Sequence, residues 1–201
     1  MYFGDHFWSE HWGLHAEVQL RRVDGILKPQ QLLIRPGLDY KLNDHLQFMV
    51  GYTNLQNYSY DRFSSPERIT IHSIHEEATV SHPLGKPKFG HRFRLEQRFT
   101  DSAGKLQCGN RVRYRLSLEA PLTKRNYFSA YNEVFVYFGA HATRPFDQNR
   151  TYGAIGRDLG APGKLEIGYL YDHQQLTDTG FRHAHAVQVS FFSKIPLRKR
   201  R

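Results

Sequence analysis

The chain is poor in cysteine and has no long apolar segment, and each shortage excludes a class of structure. Its 201 residues include one cysteine, Cys108, so no disulfide can form within the chain. Nowhere does the sequence contain the run of about 18 apolar residues that a membrane-spanning helix needs. The first residues, MYFGDHFWSEHWG, lack a basic start followed by an apolar core, so we expect no signal peptide in this chain. A helical membrane protein and an internal disulfide are thereby excluded.

The length and charge predict one basic domain. With 201 residues and a formal net charge of +9, the chain has the size of a single domain, residues 1–201, able to bury a core or close a barrel. An excess of basic residues favours an anionic partner, either nucleic acid or the phosphate-rich face of a membrane. Cys108 lies in the stretch DSAGKLQCGN, which predicts a loop thiol without a catalytic role.

Alternation of apolar and polar residues recurs along almost the whole chain, and it predicts an all-β protein because helical periodicity is hard to find. We expect about ten strands on this pattern. They lie near residues 11–22, 30–42, 46–58, 68–82, 90–101, 110–121, 126–139, 149–159, 163–175 and 182–195.

The connections between these strands alternate in length. Every second one is a short turn rich in Pro, Gly, Asn or Asp, namely LNDH, PLGKPK, PLTKRN and DLGAPG. Longer connections lie between them, as in SYDRFSSPE, TDSAGKLQCGN, GAHATRPFDQ and QLTDTGF. Short turns on one rim and longer loops on the other, with an even strand number, are typical of a bacterial outer-membrane barrel. The fold class we expect is therefore an antiparallel, up-and-down transmembrane β-barrel of about 10 strands.

Arginine recurs at every second position of two successive strands, HRFRLEQRF at 91–99 and RVRYRLSL at 111–118. Such a face can line the interior of a membrane barrel, or it can be the solvated outside of a soluble, lipocalin-like barrel whose apolar face surrounds a ligand. Three features favour the membrane barrel: acids stand in register with arginines that are used in place of lysine, large apolar residues fill the other face with aromatics near the strand ends, and short turns alternate with longer loops. The expected lumen charge network consists of Arg35, Arg92, Arg94, Glu96, Arg98, Arg111, Arg113, Arg115, Glu119 and Glu133.

Several segments also resemble a known bacterial family. They are LLIRPGLDYKL, GYTN, HRFRLEQRF, RVRYRLSLEAPL, YNEVF, FDQNRTYGAIG and LEIGYL, in that order over most of the chain. In this respect the sequence is similar to domain-of-unknown-function family 2490, whose members are regarded as outer-membrane β-barrel proteins. The resemblance implies an outer-membrane location and a secretory signal in the precursor, and it implies no reaction. The chain departs from many barrel proteins by ending in a basic tail, residues 196–201, instead of a terminal aromatic residue.

Sites of chemistry are weakly marked. His173, His183 and His185 fall on either side of the last hairpin and are weak metal candidates, so we expect neither a bound metal nor a cofactor. The stretch FDQNR offers Asp147, Gln148, Asn149 and Arg150 as ligand contacts at the barrel mouth, or as a turn that leads into a strand.

No nucleophile is singled out, so an enzyme is not favoured, although an outer-membrane enzyme with acids at the extracellular rim stays open. Nucleic-acid binding is disfavoured because aromatics and arginines lie on opposite faces. We expect a monomer whose partner is outer-membrane lipid, with a structural or small-solute role. A soluble barrel that binds an apolar ligand is the alternative.

Overall fold

Eleven β-strands account for the regular structure in the part of the chain that the computed structural model describes. That part consists of residues 1–24, 26–59, 67–102, 105–139, 144–161, 163–176, 178–195 and 197. The strands are β1 (Tyr2–Phe7), β2 (Trp12–Val23), β3 (Lys28–Lys41), β4 (Leu46–Ser59), β5 (Glu67–Pro83), β6 (Lys88–Ser102), β7 (Lys105–Pro121), β8 (Asn126–Phe138), β9 (Phe146–Asp158), β10 (Lys164–Gln175) and β11 (Phe181–Ser193). No helix within those ranges is long and apolar enough to cross a membrane.

The strands form one closed barrel, in which each strand from β2 to β11 pairs antiparallel with the next along the chain. The closure is made by β1, which pairs antiparallel with β2 and parallel with β11. Only three residue pairs join β1 to β11, whereas twelve join β10 to β11. The all-β barrel predicted from the alternation is thus confirmed, with a short parallel seam where its ends meet.

The eleventh strand is β1, which the sequence pattern does not reveal. Residues Phe3 and Asp5 pair with Glu17 and His15 of β2, so an aromatic and a charged residue share one face of β1. A face of mixed character has no alternation to recognise, and six residues are too few to show a period. The strand exists because closure of the barrel gives its backbone two partners.

One predicted long loop is in fact strand. The fifth connection was expected over TDSAGKLQCGN, but β6 runs to Ser102 and β7 begins at Lys105. Cys108 therefore lies in β7, where it pairs with Phe99 and is exposed. The loop prediction for this cysteine is wrong because the strand pairing continues as far as Ser102 and Lys105, although residues of this composition are common in turns.

The two faces of the barrel wall differ in a consistent way. Along the middle of β6 and β7, residues 91–99 and 111–118, the exposed side chains are apolar: Phe93, Leu95, Val112 and Leu116. The alternating positions carry the arginines and Glu96, which are buried or half-buried. We call the face with the buried side chains the inner face and the other the outer face. A small apolar cluster of Tyr152, Ala154 and Leu170 also lies on the inner face.

Candidate functional site

Glu133 of β8 is the centre of a buried group of ion pairs. Its side chain is 0% exposed and accepts hydrogen bonds from Arg92, Arg113 and Arg115. The Nη2 atoms of these arginines lie 2.6, 2.7 and 2.7 Å from its carboxylate oxygens. Strand register explains the gathering, because Arg92 pairs with Arg115 across β6 and β7, and Arg115 pairs with Glu133 across β7 and β8. One carboxylate is thus shared by three guanidinium groups.

Glu96 of β6 is a second buried acceptor, and it shares Arg113 with Glu133. It lies 2.6 Å from Nη2 of Arg111 and 2.7 Å from Nη1 of Arg113, and it is almost completely buried. Arg113 therefore bridges Glu96 and Glu133. Charge-assisted hydrogen bonds of this length are about twice as strong as neutral ones, and the planar fork of arginine allows each cation to serve two acids.

The ion pairs continue around the barrel wall toward β2. Arg94 donates to Glu77 of β5 from Nη2 at 2.6 Å, and Arg92 Nε lies 3.6 Å from the same acid. On the next strands Arg35 donates to Glu17 through Nη1, and its Nε donates to Thr53 at 2.9 Å. We call this set the arginine–carboxylate network. Its members are Glu17, Arg35, Glu77, Arg92, Arg94, Glu96, Arg111, Arg113, Arg115 and Glu133.

Phe135 of β8 packs among the arginines of the network. Its side chain is nearly fully buried, and the guanidinium carbons of Arg113, Arg150 and Arg111 lie 4.3, 4.9 and 5.0 Å from its ring centroid. Stacking on an aromatic face is a favourable arrangement for a desolvated guanidinium group. The ring therefore separates the cations and limits their movement.

The stretch FDQNR begins β9 at Phe146 and does not form a loop at the barrel mouth, which corrects the strand start expected at residue 149. The pairing register of β8 and β9 shifts between Phe135 and Val136, which leaves Asp147 as the extra residue of a β-bulge. Asp147 and Gln148 are consequently both buried. Asp147 accepts from Arg111 at 2.8 Å, and Gln148 donates to Asp172 of β10.

The rest of FDQNR divides between the two faces. Arg150 Nε lies 3.2 Å from Asp172 Oδ2. Asn149 exchanges side-chain hydrogen bonds of 3.0 Å with Asn132 on the outer face. The four residues named as rim contacts therefore do not converge on one ligand position.

Two residues expected in the network have other partners. Glu119 accepts from Nζ of Lys164 at 2.7 Å and is partly exposed. Arg98 donates to the hydroxyl of Tyr137, and its guanidinium carbon lies 5.5 Å from the ring centroid of that residue. Neither side chain contacts the acids of the arginine–carboxylate network among the ion pairs described.

The three candidate histidines lie together on the outer face near the end of the β10–β11 hairpin. His173 pairs with His183, and their Nδ1 atoms are 3.3 Å apart. His185 hydrogen-bonds with the hydroxyl of Tyr169. All three are exposed or half-buried.

Another group with metal-ligating atoms consists of Asp5, His15 and Asp39. The sequence pattern did not indicate it because each residue lies on a different strand.

Of the basic tail, only Leu197 lies within the described residues, where its backbone N–H donates to the carbonyl of Phe7 at 3.0 Å. The prediction for the tail otherwise falls outside the described part of the chain.

The strand order defines a class of fold, the closed and mostly antiparallel β-barrel. A solved structure entitled NanC porin matches with a TM-score of 0.55 at 14% sequence identity, and the match covers 93% of this chain and 89% of the porin chain. At that identity the likeness is one of fold.

The family model described as Protein of unknown function (DUF2490) matches residues 1–182, so the chain belongs to that family. The resemblance drawn from the sequence segments is thereby confirmed. An uncharacterised protein of Methylorubrum extorquens is 30% identical over 185 residues, which cover 88% of this chain and 78% of the relative.

Proposed function

We propose that this protein is an integral β-barrel of the bacterial outer membrane, with its outer face in lipid and its lumen filled by the arginine–carboxylate network. The observation that carries the proposal is that apolar side chains are exposed on the outer face, whereas charged side chains are buried on the inner face. Val187 is 78% exposed, whereas Glu133 is 0% and Arg94 is 2% exposed. The porin-like fold and the family membership support the same reading.

The alternative, a soluble barrel around an apolar ligand, requires apolar side chains inside and charges in water. The distribution of side chains is the reverse. Exposed large apolar residues occur on nearly every strand, among them Leu20, Val50, Ile74, Ile155 and Ile167. A monomeric soluble protein rarely exposes apolar patches larger than a few hundred Å². In lipid the same surface is stabilised.

Aromatic residues at the rim with the short turns add a second argument. Trp12 and Tyr40 pack with ring centroids 4.8 Å apart, and Trp8 and Trp12 are both partly exposed. Amphipathic rings at this position are typical of the interface between headgroups and hydrocarbon. They support a location of this rim at the membrane surface.

A filled lumen favours a structural or narrow small-solute role over that of a wide pore. Side chains of non-adjacent strands meet on the inner face, where Arg92 of β6 contacts Glu133 of β8 and Lys164 of β10 contacts Glu119 of β7. A barrel of about this strand number has an interior just wide enough for its side chains to fill. The buried acids Asp147 and Asp172 near the long-loop rim have arginine partners, so neither of these two carboxylates is favoured as a hydrolytic acid or base.

The orientation of the wall can be tested with two spin labels one residue apart. After replacement of Cys108 by Ser, labels are attached at Leu116→Cys on the outer face and Ser117→Cys on the inner face, in protein refolded into lipid vesicles. We expect oxygen, which is lipid-soluble, to relax the label at 116 strongly and the label at 117 weakly. If the label at 116 is instead reached by a water-soluble nickel chelate and shielded from oxygen, the membrane proposal is refuted.

The filled lumen can be tested by conductance in planar lipid bilayers. Wild-type protein is expected to pass far less current than a wide general porin, and Phe135→Ala, which removes the ring beneath three arginines, is expected to pass more. Val50→Ala on the outer face is the matched control and should behave as wild type. Large wild-type currents would exclude a filled lumen. Fractionation of cells that make the protein with a secretory signal tests the outer-membrane location separately.

A further inference from the structure

Three potential metal ligands meet beside the seam of the barrel, on β1, β2 and β3. Asp5 of β1 pairs directly with His15 of β2, and Asp39 of β3 pairs with Gly13, two residues before His15 on the same face. One ligand atom from each of Asp5, His15 and Asp39 lies within 4.8 Å of the other two. The group thus spans three adjacent strands, and Gly13 contributes no side chain between Asp39 and the imidazole.

Two buried atoms of this group have no hydrogen-bond partner. Asp39 is 1% exposed. Its Oδ1 accepts from Nε2 of Gln47 at 3.0 Å, whereas its Oδ2 has no partner among the described residues. Nε2 of His15 is likewise buried without a hydrogen bond within the described part of the chain. Burying a carboxylate costs several kcal/mol unless a cation or donors compensate it, so a cation bound at this position would be stabilised.

Arg35 already has Glu17 as its partner. Glu17, whose Oε2 lies 3.6 Å from Nε2 of His15, accepts a hydrogen bond from Arg35. No lysine or arginine forms an ion pair with Asp39 among the described residues. Asp5 is bound through its Oδ1 to Nδ1 of His15 at 2.7 Å, and its side chain is 35% exposed. This partial exposure leaves a path from solvent to the group.

We propose that Asp5, His15 and Asp39 form a binding site for a divalent transition-metal cation of the zinc class. One imidazole nitrogen and two carboxylate oxygens are ligands that Zn²⁺ accepts, and a water molecule can complete a tetrahedron. In such a site neighbouring ligand atoms are about 3.3 Å apart, because the metal–ligand bonds are about 2.0 Å long. The ligand atoms lie within 4.8 Å of one another, so metal binding requires them to approach by up to about 1.5 Å.

The bound cation would hold the barrel closed. β1 is attached to β11 by three residue pairs, so the seam has the fewest backbone pairs in the barrel. A metal bound by ligands on β1, β2 and β3 links β1 to β2 and β2 to β3, which are the strand pairs next to that seam. Since the unfolded chain does not assemble these ligands, metal binding stabilises the folded barrel.

The test is titration of Zn²⁺ into the full-length, metal-free protein refolded in detergent micelles, followed by calorimetry. We expect one Zn²⁺ per chain, and at a free Zn²⁺ concentration 100 times Kd the equilibrium constant for unfolding should fall about a hundredfold. Asp39→Asn and Asp5→Asn, which keep the side-chain shapes, should each weaken binding at least tenfold. Heat-dependent gel mobility reports whether each variant still forms the barrel.

Asp44→Asn is the matched control on the neighbouring β3–β4 turn. The ammonium of Lys41, 2.7 Å away, lowers the pKa of Asp44, so this exposed acid stays ionised and reports nonspecific Zn²⁺ binding. The control should bind as wild type does. Equal binding by Asp39→Asn, Asp5→Asn and wild type would overturn the assignment, as would the absence of binding by wild type.

X-ray absorption of wild-type protein loaded with one equivalent of Zn²⁺ gives a readout that needs no variant. The expected spectrum has nitrogen and oxygen ligands at about 2.0 Å with a single imidazole. Two imidazoles, together with loss of binding in His183→Asn, would assign the metal to the pair His173 and His183 and would overturn the proposal.

Discussion

Replacing Glu133 by Gln tests whether the arginine–carboxylate network is dry and structural. The substitution keeps the shape of the side chain but removes the negative charge that Arg92, Arg113 and Arg115 share. Breaking one partner out of a buried ion pair costs about 3–5 kcal/mol, because the remaining charge is left without compensation.

The expected loss of stability is that of one ion pair and not of three, because two of the three arginines keep a second acid as a partner. Arg113 keeps Glu96 at 2.7 Å, and Arg92 keeps Glu77 at 3.6 Å. Arg115 has an ion pair only with Glu133 among the described residues. One uncompensated guanidinium group remains, so we expect destabilisation by about 3–5 kcal/mol, or two to nearly four powers of ten in the unfolding equilibrium constant.

The assay is urea unfolding of the refolded barrel in lipid vesicles, followed by the fluorescence of Trp8 and Trp12. Glu119→Gln is the matched control, because Glu119 also has a basic partner but is 42% exposed. Its loss should cost less than about 1 kcal/mol. A double-mutant cycle with Arg115→Gln isolates the coupling. If Glu133→Gln and Glu119→Gln prove equally mild, the network is hydrated and the reasoning is refuted.

Two further predictions concern Cys108 and Gly163. Cys108 is exposed on β7, so a water-soluble maleimide should modify it in the folded barrel at the rate of an unhindered thiol, and protection from the reagent would contradict the exposure of this side chain. Gly163 has φ +131, and a Cβ there would lie 1.9 Å from the carbonyl oxygen of Phe192. Gly163→Ala should therefore cost on the order of 3 kcal/mol, measured by urea unfolding. Gly160→Ala, at φ +84 with open space around the Cβ, should cost only about 1–2 kcal/mol, and equal losses in the two variants would contradict the steric argument.

The fold was predicted mainly from the alternation of apolar and polar residues. The ten expected strands correspond to β2–β11 within a few residues at most ends, because a residue pattern of period two is a local property that the sequence displays directly. β1 was missed because Phe3 and Asp5 share a face. The start of β9 was missed because Asp147 and Gln148 are both buried at a bulge, and a bulge breaks the period that sequence reading depends on.

The contacts between site residues could not be predicted from the sequence, although the face that carries the arginines could. Arginines at every second position identify one face of a strand, but they do not specify which acid each arginine contacts. Arg113 bridges Glu96 and Glu133, which lie 17 and 20 residues away, and Glu119 contacts Lys164, 45 residues away. Partners at such separations follow from strand register and barrel closure, neither of which the residue pattern contains.

The sequence by itself determined that the chain forms β-strands, which residues share a face of each strand, and that one face is charged and the other apolar. Those properties depend on the period of side chains along an extended backbone, which is the same in every sheet. Only the tertiary structure decided that the charged face is buried, that a short parallel strand closes the barrel, and that Asp5, His15 and Asp39 meet. These features depend on which strands become neighbours when the sheet closes on itself, and that choice is made by the whole chain at once.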